Sequence, residues 1–448
     1  MRTPFPLRSL WASLKSRTWK WAWPSIAVLT WGVGMWWAGG ASFAHREMAS
    51  ASAAPAQHMP WKLVFRNPDA DNIALPDEAE ALVRLIYRQL EEGQRAQALE
   101  TAEHLSTRFP NFQLGQLLFA DLLNIELQAP VDGLATADST QPAAHQRLQE
   151  LLLESARRLL HPPATELQGK VPAGLLYLDP EQHPFLAVVD AARSRLYWFA
   201  NRTGIDGQPR LELQLDTYIS VGLNGVGKER EGDGRTPLGV YFIQKNLPGA
   251  SLPDLFGAGA LTLNYPNAVD VLREKTGSGI WLHGTPSAQY SRAPQASDGC
   301  VVLSNPQMSR LLELDGLRMT PVVIARNMEW LATGEQARHH QDMLPRLMAW
   351  IRDRHAADPS ALTDYYSSQF ERDGQGLAYW WPRLVPGRKR AQNALEVVSV
   401  LGWRDTDQDY IVATLKDPNR RANGKREFLR TYWMQQDGQW KIVFEGPI

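Results

Sequence analysis

The chain contains one cysteine, Cys300, and it lies seventeen positions after His283. A thiol attacks an acyl carbon only as the thiolate, so a cysteine nucleophile needs a neighbouring base or a lowered pKa. His283 ends the strand-like run Gly-Ile-Trp-Leu, and Cys300 begins the apolar run Cys-Val-Val-Leu. If these runs lie near each other in one sheet, their ends bring an imidazole to a thiol, an arrangement suited to acyl transfer.

The residues around the thiol favour the same chemistry. Gly299 removes side-chain bulk beside Cys300, and the backbone amides of these two residues could point at a developing oxyanion. The alternative is that Cys300 is a small buried apolar residue, as lone cysteines often are. The combination of His-Gly-Thr with Ser-Asp-Gly-Cys-Val-Val-Leu over a defined gap favours the catalytic interpretation.

Short strand-like segments surround both motifs and must position them. An apolar hairpin pattern opens the region at Phe185–Ala200, and residues 183–327 as a whole predict a β-rich domain. A helical segment, Pro306–Leu314, interrupts the last strands. The further predicted strands are Leu213–Val221, Gly239–Gln244, Ile280–His283, Cys300–Leu303 and Pro321–Ala325.

These motifs resemble the YkuD-type L,D-transpeptidase catalytic domain. That family is marked by a His-Gly pair, a gap of about this length and Ser-His-Gly-Cys, followed by an apolar residue and Arg. The matching residues here are His283-Gly284, Ser297, Gly299 and Cys300. A second family feature, a strand ending in Ser-x-Gly and then Thr-Pro-x-Gly, matches Ile219–Gly222 and Thr236, Pro237 and Gly239. The resemblance covers residues 183–327, about a third of the chain.

The resemblance implies a reaction on peptidoglycan that needs no metal or cofactor. Cys300, deprotonated by His283, would attack the third-residue carbonyl of a stem tetrapeptide, and D-alanine would leave. Gly284 would orient His283 through its carbonyl oxygen, and Gly299 and Cys300 would supply the oxyanion hole. Water or an amine would then take the thioester. The candidate substrate-binding residues are Ser297, Asp298, Thr285, Arg235 and Thr236.

Two positions depart from the family pattern. Asp298 stands where many members have His, and Val302 stands where many have Arg. Arg235, Lys228 and Arg292 are the nearby candidates to replace that arginine. The departures leave two alternatives to a cross-linking transpeptidase: a hydrolase of the same fold that trims stems or releases a peptidoglycan-linked protein, and a catalytically inactive cell-wall scaffold.

The N-terminus predicts export to the cell envelope. Residues 1–20 are basic, and the charge-free stretch 21–44 is long enough to span a bilayer core, which needs about 20 apolar residues. The basic flank predicts a bacterial inner-membrane anchor with the bulk of the chain in the periplasm. Small residues after Ala44 make a cleaved signal, and a periplasmic protein, the alternative. Residues 45–75 are a linker rich in Ala, Ser and Pro.

Two further domains flank the β-rich one, so the chain is expected to be multidomain. Residues 76–165 predict helical hairpins similar to tetratricopeptide repeats, with a plain helical bundle as the alternative. Residues 335–448 predict helices followed by a curved sheet and resemble the cone-like, nuclear transport factor two-like α+β fold. Either domain is a candidate for binding a protein partner or forming a dimer.

Composition excludes one class of function. The 448 residues are 44% hydrophobic and 21% charged, with a formal net charge of −1. This balance gives no electrostatic reason for nucleic-acid binding. A single cysteine also excludes an internal disulfide, so each domain must be stable through its own apolar core. The adjacent His339 and His340 would face different ways on a helix, so the sequence contains no convincing metal site.

Overall fold

The computed structural model describes residues 78–127, 142–161, 167, 169–204, 209–332, 335, 342–356, 359–385, 393–405, 408–418 and 427–448. The predicted basic segment 1–20, the membrane segment 21–44 and the whole linker 45–75 lie outside the described residues. Within the described part of the chain, no helix combines the length and apolar character needed to cross a bilayer.

The described chain begins with a helical region, residues 78–127 and 142–161, which confirms the predicted helices. Its first three helices are short and antiparallel, and the first ends near Gly93, whose φ is +74°. Small residues such as Ala98 and Ala102 are fully buried between them. The helices are α1 (Glu78–Glu91), α2 (Arg95–Arg108), α3 (Gln113–Glu126) and α4 (Pro142–Leu160).

Two short strands follow the helical region, β1 (Lys170–Pro172) and β2 (Leu175–Leu178). The β-rich domain then begins. Its elements are β3 (Phe185–Asp190), β4 (Arg195–Thr203), β5 (Pro209–Tyr218), β6 (Val221–Gly222), β7 (Gly239–Pro248), β8 (Gly259–Leu263), α5 (Ala268–Leu272), β9 (Trp281–His283), β10 (Gln295–Ser297), β11 (Val301–Val302), α6 (Asn305–Leu312) and β12 (Pro321–Ala325).

Among the described residues, the main sheet of this domain has eight strands in the order β11-β9-β8-β7-β12-β3-β4-β5. Two neighbouring pairs are parallel, β11 with β9 and β12 with β3, and the others are antiparallel. A separate parallel pair joins β10 to β6. This sheet confirms the predicted β-rich domain.

Both faces of the sheet are covered, so its central strands read as continuous apolar runs. Every residue of β3 is buried. Alternate side chains enter two different cores: Ala187 and Val189 join a core with α6, whereas Leu186 and Val188 face the C-terminal sheet. The two sheets are therefore packed face to face.

The C-terminal part is α+β, as predicted, but its sheet includes a strand from earlier in the chain. Its five strands run in the order β19-β18-β17-β16-β2. Strand Leu175–Leu178 therefore pairs with Glu396–Asp405, although the whole β-rich domain lies between them in the sequence. The remaining elements are β13 (Trp330–Ala332), α7 (Met343–Ala356), α8 (Pro359–Leu362), β14 (Glu371–Arg372), β15 (Gln375–Gly376), α9 (Leu377–Leu384), β16 (Glu396–Asp405), β17 (Gln408–Lys416), β18 (Phe428–Gln436) and β19 (Gln439–Pro447).

A buried ionic cluster joins the helical region to the β-rich domain. Arg195 on β4 donates to both carboxylate oxygens of Glu80 on α1, at 2.7 and 2.8 Å, and its Nε donates to Asp216 on β5 at 2.7 Å. All three side chains are almost fully buried. Removing one member of such a cluster is costly because the remaining charges stay in a medium of low dielectric.

We expect Arg195→Met to lower the free energy of unfolding by about 3–5 kcal/mol, because Glu80 and Asp216 keep buried negative charges without their shared cation. Arg202→Met, on the exposed end of the same strand, is the matched control and should stay within about 0.5 kcal/mol of wild type. Urea denaturation measures the free energy of unfolding of both variants. Equal midpoints for the two variants would contradict the assignment.

Candidate active site

The parallel pairing of β9 with β11 places His283 and Cys300 beside each other. Val302 is the register partner of His283, and Val301 is the partner of Leu282. Leu282 and Val301 point into the core shared with α6. Because side chains alternate along a strand, His283 and Cys300 lie on the opposite face. Strand rise and spacing put their Cα atoms about 8 Å apart, within reach of two converging side chains.

His283 is held in one orientation by the next residue. Its Nδ1 lies 2.6 Å from the carbonyl oxygen of Gly284. A carbonyl only accepts hydrogen bonds, so Nδ1 carries the proton and Nε2 keeps a free lone pair. The ring also packs edge-on against Phe256, with 5.1 Å between ring centroids. The imidazole is thus presented as a neutral base through Nε2.

Burial keeps His283 neutral. It lowers the pKa of the imidazole from its ordinary value to about 4, against the Gly284 hydrogen bond, which raises it, and the charge of Arg292 lowers the pKa further. A histidine of this kind is unprotonated at neutral pH. It can accept a proton from a thiol but does not begin as an imidazolium.

Cys300 is half-buried and lies immediately before β11. Its Sγ donates a hydrogen bond to the carbonyl oxygen of Gly279 at 3.4 Å. Burial raises the pKa of the thiol, a hydrogen bond from the Trp281 backbone lowers it, and Asp298 raises it again. Thiol and imidazole therefore rest as a neutral pair, which suits general-base activation of the nucleophile at the moment of attack.

Ser297 fixes the turn that carries the thiol. Its hydroxyl donates to the Cys300 carbonyl oxygen at 2.6 Å and accepts from the Gly299 amide at 3.1 Å. Ser297 is itself buried. The structure thus gives Ser297 a framework contact, whereas the sequence suggested a substrate contact. It also shows the Gly299 amide, a predicted oxyanion donor, already bonded to this hydroxyl.

The glycines of the two motifs are required by close packing. Gly299 has φ +125°, and a Cβ there would lie 2.7 Å from the carbonyl oxygen of Arg235. A Cβ on Gly284 would lie 2.2 Å from Asn305 Oδ1. Asn305, which the sequence did not single out, accepts from the Ala258 amide at 2.8 Å and so braces the loop beside His283. No local sequence signal marks it.

Two other predicted substrate contacts lie inside the framework. The Thr285 hydroxyl donates to the Gln289 carbonyl oxygen at 2.7 Å, and Thr236 Oγ1 accepts from the Gly222 amide at 2.9 Å. Both threonines are buried. Their hydroxyls hold the loops on either side of the site rather than facing an open surface.

Four charged residues of the sequence prediction lie around the site, and they differ in exposure. Asp298 and Arg235 are exposed. Lys228 is buried and bound to Asp233 at 2.8 Å, so it is committed to its own loop. Arg292 is half-buried, and burial lowers its pKa, against the charges of Asp298 and Cys300, which raise it. Of the three arginine or lysine candidates, Arg292 is the one that electrostatically interacts with both His283 and Cys300 and is not paired with Asp233.

The β-rich domain is similar to a known protein family. Residues 184–324 match the YkuD family model, described as the L,D-transpeptidase catalytic domain. No curated protein matches the chain. Among solved structures, Bd1075 of Bdellovibrio bacteriovorus is 23% identical, with a TM-score of 0.50 over 62% of this chain and 98% of that one. This similarity concerns the fold.

Two further structures score lower. The helical cell shape determining protein Pgp2 from Campylobacter jejuni is 19% identical, with a TM-score of 0.47 over 61% of this chain and 95% of that one. The L,D-transpeptidase from Mycobacterium smegmatis is 16% identical, with a TM-score of 0.20 over 32% of this chain and 58% of that one. The nuclear transport factor two-like assignment of 335–448 stays a prediction. The family match and the order of the motifs together make residues 184–324 similar to a YkuD-type L,D-transpeptidase catalytic domain.

Proposed function

We propose that this chain is a peptidoglycan L,D-transpeptidase that uses Cys300 as nucleophile and His283 as general base. The observation that carries the proposal is the pairing of β9 with β11, which puts the thiol and an oriented imidazole on one face of the sheet. The substrate is a stem tetrapeptide, and the roles of both residues follow from the chemistry that their neutral resting forms permit.

The proposed reaction proceeds through a thioester. His283 Nε2 accepts the Sγ proton as Sγ attacks the carbonyl carbon of the third stem residue. The bond to the D-alanine nitrogen breaks, and that nitrogen takes the proton from Nε2. An amine acceptor then attacks the thioester, gives up a proton, and releases the thiol. The Cys300 amide is the proposed oxyanion donor, since the Gly299 amide is bonded to Ser297.

The proposed location is the periplasmic side of the inner membrane, held by residues 21–44 or reached after their cleavage. The basic segment before this charge-free stretch supports the proposal. A reporter enzyme that is active only in the periplasm, fused after Ile448, should be active. Activity confined to a cytoplasmic reporter at the same position would exclude the periplasmic location.

A partner or dimer contact through the helical or C-terminal domains stays a prediction.

Replacing Cys300 with Ala should lower thioester formation and D-alanine release by at least about three orders of magnitude, because no other thiol exists in the chain. Mass spectrometry of the protein incubated with stem tetrapeptide detects the adduct. Thermal unfolding should stay close to wild type, because the side chain is only half-buried. An unchanged adduct in this variant would exclude the thioester mechanism.

The same assay separates the alternatives. Cross-links between two third-position residues in the products support the transpeptidase, and stems shortened by one residue without cross-links support the hydrolase. A wild-type protein that forms neither adduct nor product supports the inactive scaffold.

The pH dependence tests the neutral pair. Because His283 must be unprotonated to act as a base, kcat/KM should fall as the pH drops through its pKa, which burial lowers to about 4. The profile should then be level from pH 5.5 to 7.5. His283→Ala should abolish that acid limb together with most of the activity. An acid limb centred near 6.5 in the wild type would contradict the burial argument.

A further inference from the structure

The segment that connects the histidine to the cysteine is held from outside its own domain. This active-site segment, residues 285–292, leaves the sheet after β9 and runs against the helical region. Asn111, in the loop between α2 and α3, accepts from the Tyr290 amide at 3.0 Å, and its Nδ2 donates to the Ser287 carbonyl oxygen at 3.2 Å. Two bonds thus tie the segment to one residue of the helical region.

Tyr290 contributes its ring to the core of the helical region. It is 4% exposed, and it packs at 5.2 Å from Phe109 and 4.9 Å from Phe112, measured between ring centroids. The other members of that core come from α1, α2, α3, α4 and the loop between α2 and α3. A side chain of the active-site segment is therefore anchored in a neighbouring hydrophobic core.

The next residue is bound by a buried carboxylate. Ser291 Oγ donates to Glu154 Oε1 on α4 at 2.6 Å. The same oxygen accepts from Arg158 Nε and Nη2 at 3.0 and 2.8 Å. Arg158 lies 4.0 Å over the ring of Tyr218, whose hydroxyl donates to the Arg292 carbonyl oxygen at 2.8 Å. Two routes from α4 therefore converge on consecutive residues, 291 and 292.

Arg292 connects the contacts made by the helical region to the candidate active site. Its Nη1 donates to the Ala296 carbonyl oxygen at 3.4 Å, which directs the guanidinium along the strand that leads to Cys300. The positive charge lowers the pKa of Cys300, against burial, and lowers the pKa of His283. The position of Arg292 therefore affects how readily the thiol ionises.

We propose that the helical region acts as a positioning clamp on the active-site segment, with Glu154 and Tyr290 as positioning residues that fix residues 290–292 and, with them, the position of Arg292. The clamp makes the helical region part of the catalytic machinery rather than an independent appendage. Its effect on turnover rests on the proposed function, whereas its effect on the thiol itself does not.

Among the described residues, Arg292 is one of four titratable or charged groups that face Cys300. Besides Arg292, the titratable or charged groups that face Cys300 are His283, Asp298 and Lys228. Lys228 is fixed to Asp233 and to the Arg230 carbonyl oxygen at 2.9 Å, away from the helical region. The Arg292 variants in the test therefore decide whether a loss of thiolate on loosening the clamp acts through Arg292.

The test compares three alanine variants of the full chain. Ser291→Ala removes the bond to Glu154, and Asn111→Ala removes the side-chain bond to Ser287 from the helical side. Ser287→Ala is the matched control, because it lies in the same segment, is exposed and is bonded through its backbone. The measurements are the rate of Cys300 alkylation by iodoacetamide at pH 8, kcat/KM on stem tetrapeptide, and thermal unfolding.

We expect Ser291→Ala and Asn111→Ala to slow alkylation about 3- to 10-fold, because the thiol pKa rises when Arg292 is held less well, and to lower kcat/KM. Ser287→Ala should match the wild type. Arg292→Gln should reproduce the slow alkylation, and Arg292→Lys should restore most of the rate because it keeps the cation.

Wild-type alkylation rates in both Ser291→Ala and Asn111→Ala would overturn the clamp, as would an equal loss in Ser287→Ala. If Ser291→Ala unfolds at a lower temperature than the wild type, its alkylation rate is set aside. The alkylation rates of Asn111→Ala, Arg292→Gln and Arg292→Lys then test the clamp. If the wild type fails to process stem peptides while the alkylation pattern holds, the clamp stands and the proposed function falls.

Discussion

The parallel pairing of β9 with β11 imposes the main constraint on this molecule. Parallel neighbours cannot be joined by a tight turn, so the chain must leave the sheet after His283 and return before Cys300. The connection runs outside the main sheet. It is braced within the domain by the β10–β6 pair and by Asn305, and from outside by the helical region. Support for His283 and Cys300 is therefore spread over distant parts of the chain.

Burial then acts on two kinds of polar group with opposite results. At the active site it favours the uncharged forms, so the pKa of His283 falls and that of Cys300 rises. In the cluster around Arg195, carboxylates and guanidinium groups are buried together and stay paired. Such pairs are expensive to break and directional, so they fix how α1 and α4 sit on the β-rich domain.

Local patterns predicted much of the fold. The hairpin over Phe185–Ala200 and the strand at Pro321–Ala325 appear in the structure because long apolar runs have few alternatives to a buried strand. Other features of the fold were not predicted. Within residues 335–448, helix α8 covers only Pro359–Leu362 and is followed by a 3-10 turn, Thr363–Tyr365, which the pattern of helices and then strands did not specify. Strand β2 joins the C-terminal sheet through partners more than two hundred residues away, which no local pattern encodes.

The sequence by itself determined which residues are the candidate nucleophile and base and which family model residues 184–324 match, because residue types and spacing carry that information directly. Only the tertiary structure decided which residues near His283 and Cys300 hold the surrounding loops in place and which are exposed at the site. Thr285 and Thr236 are buried, and the Gly299 amide is bonded to Ser297. Glu154 reaches Ser291 across 137 positions. Burial and long-range hydrogen bonds depend on how separate elements pack, so they leave no trace in the spacing of a motif.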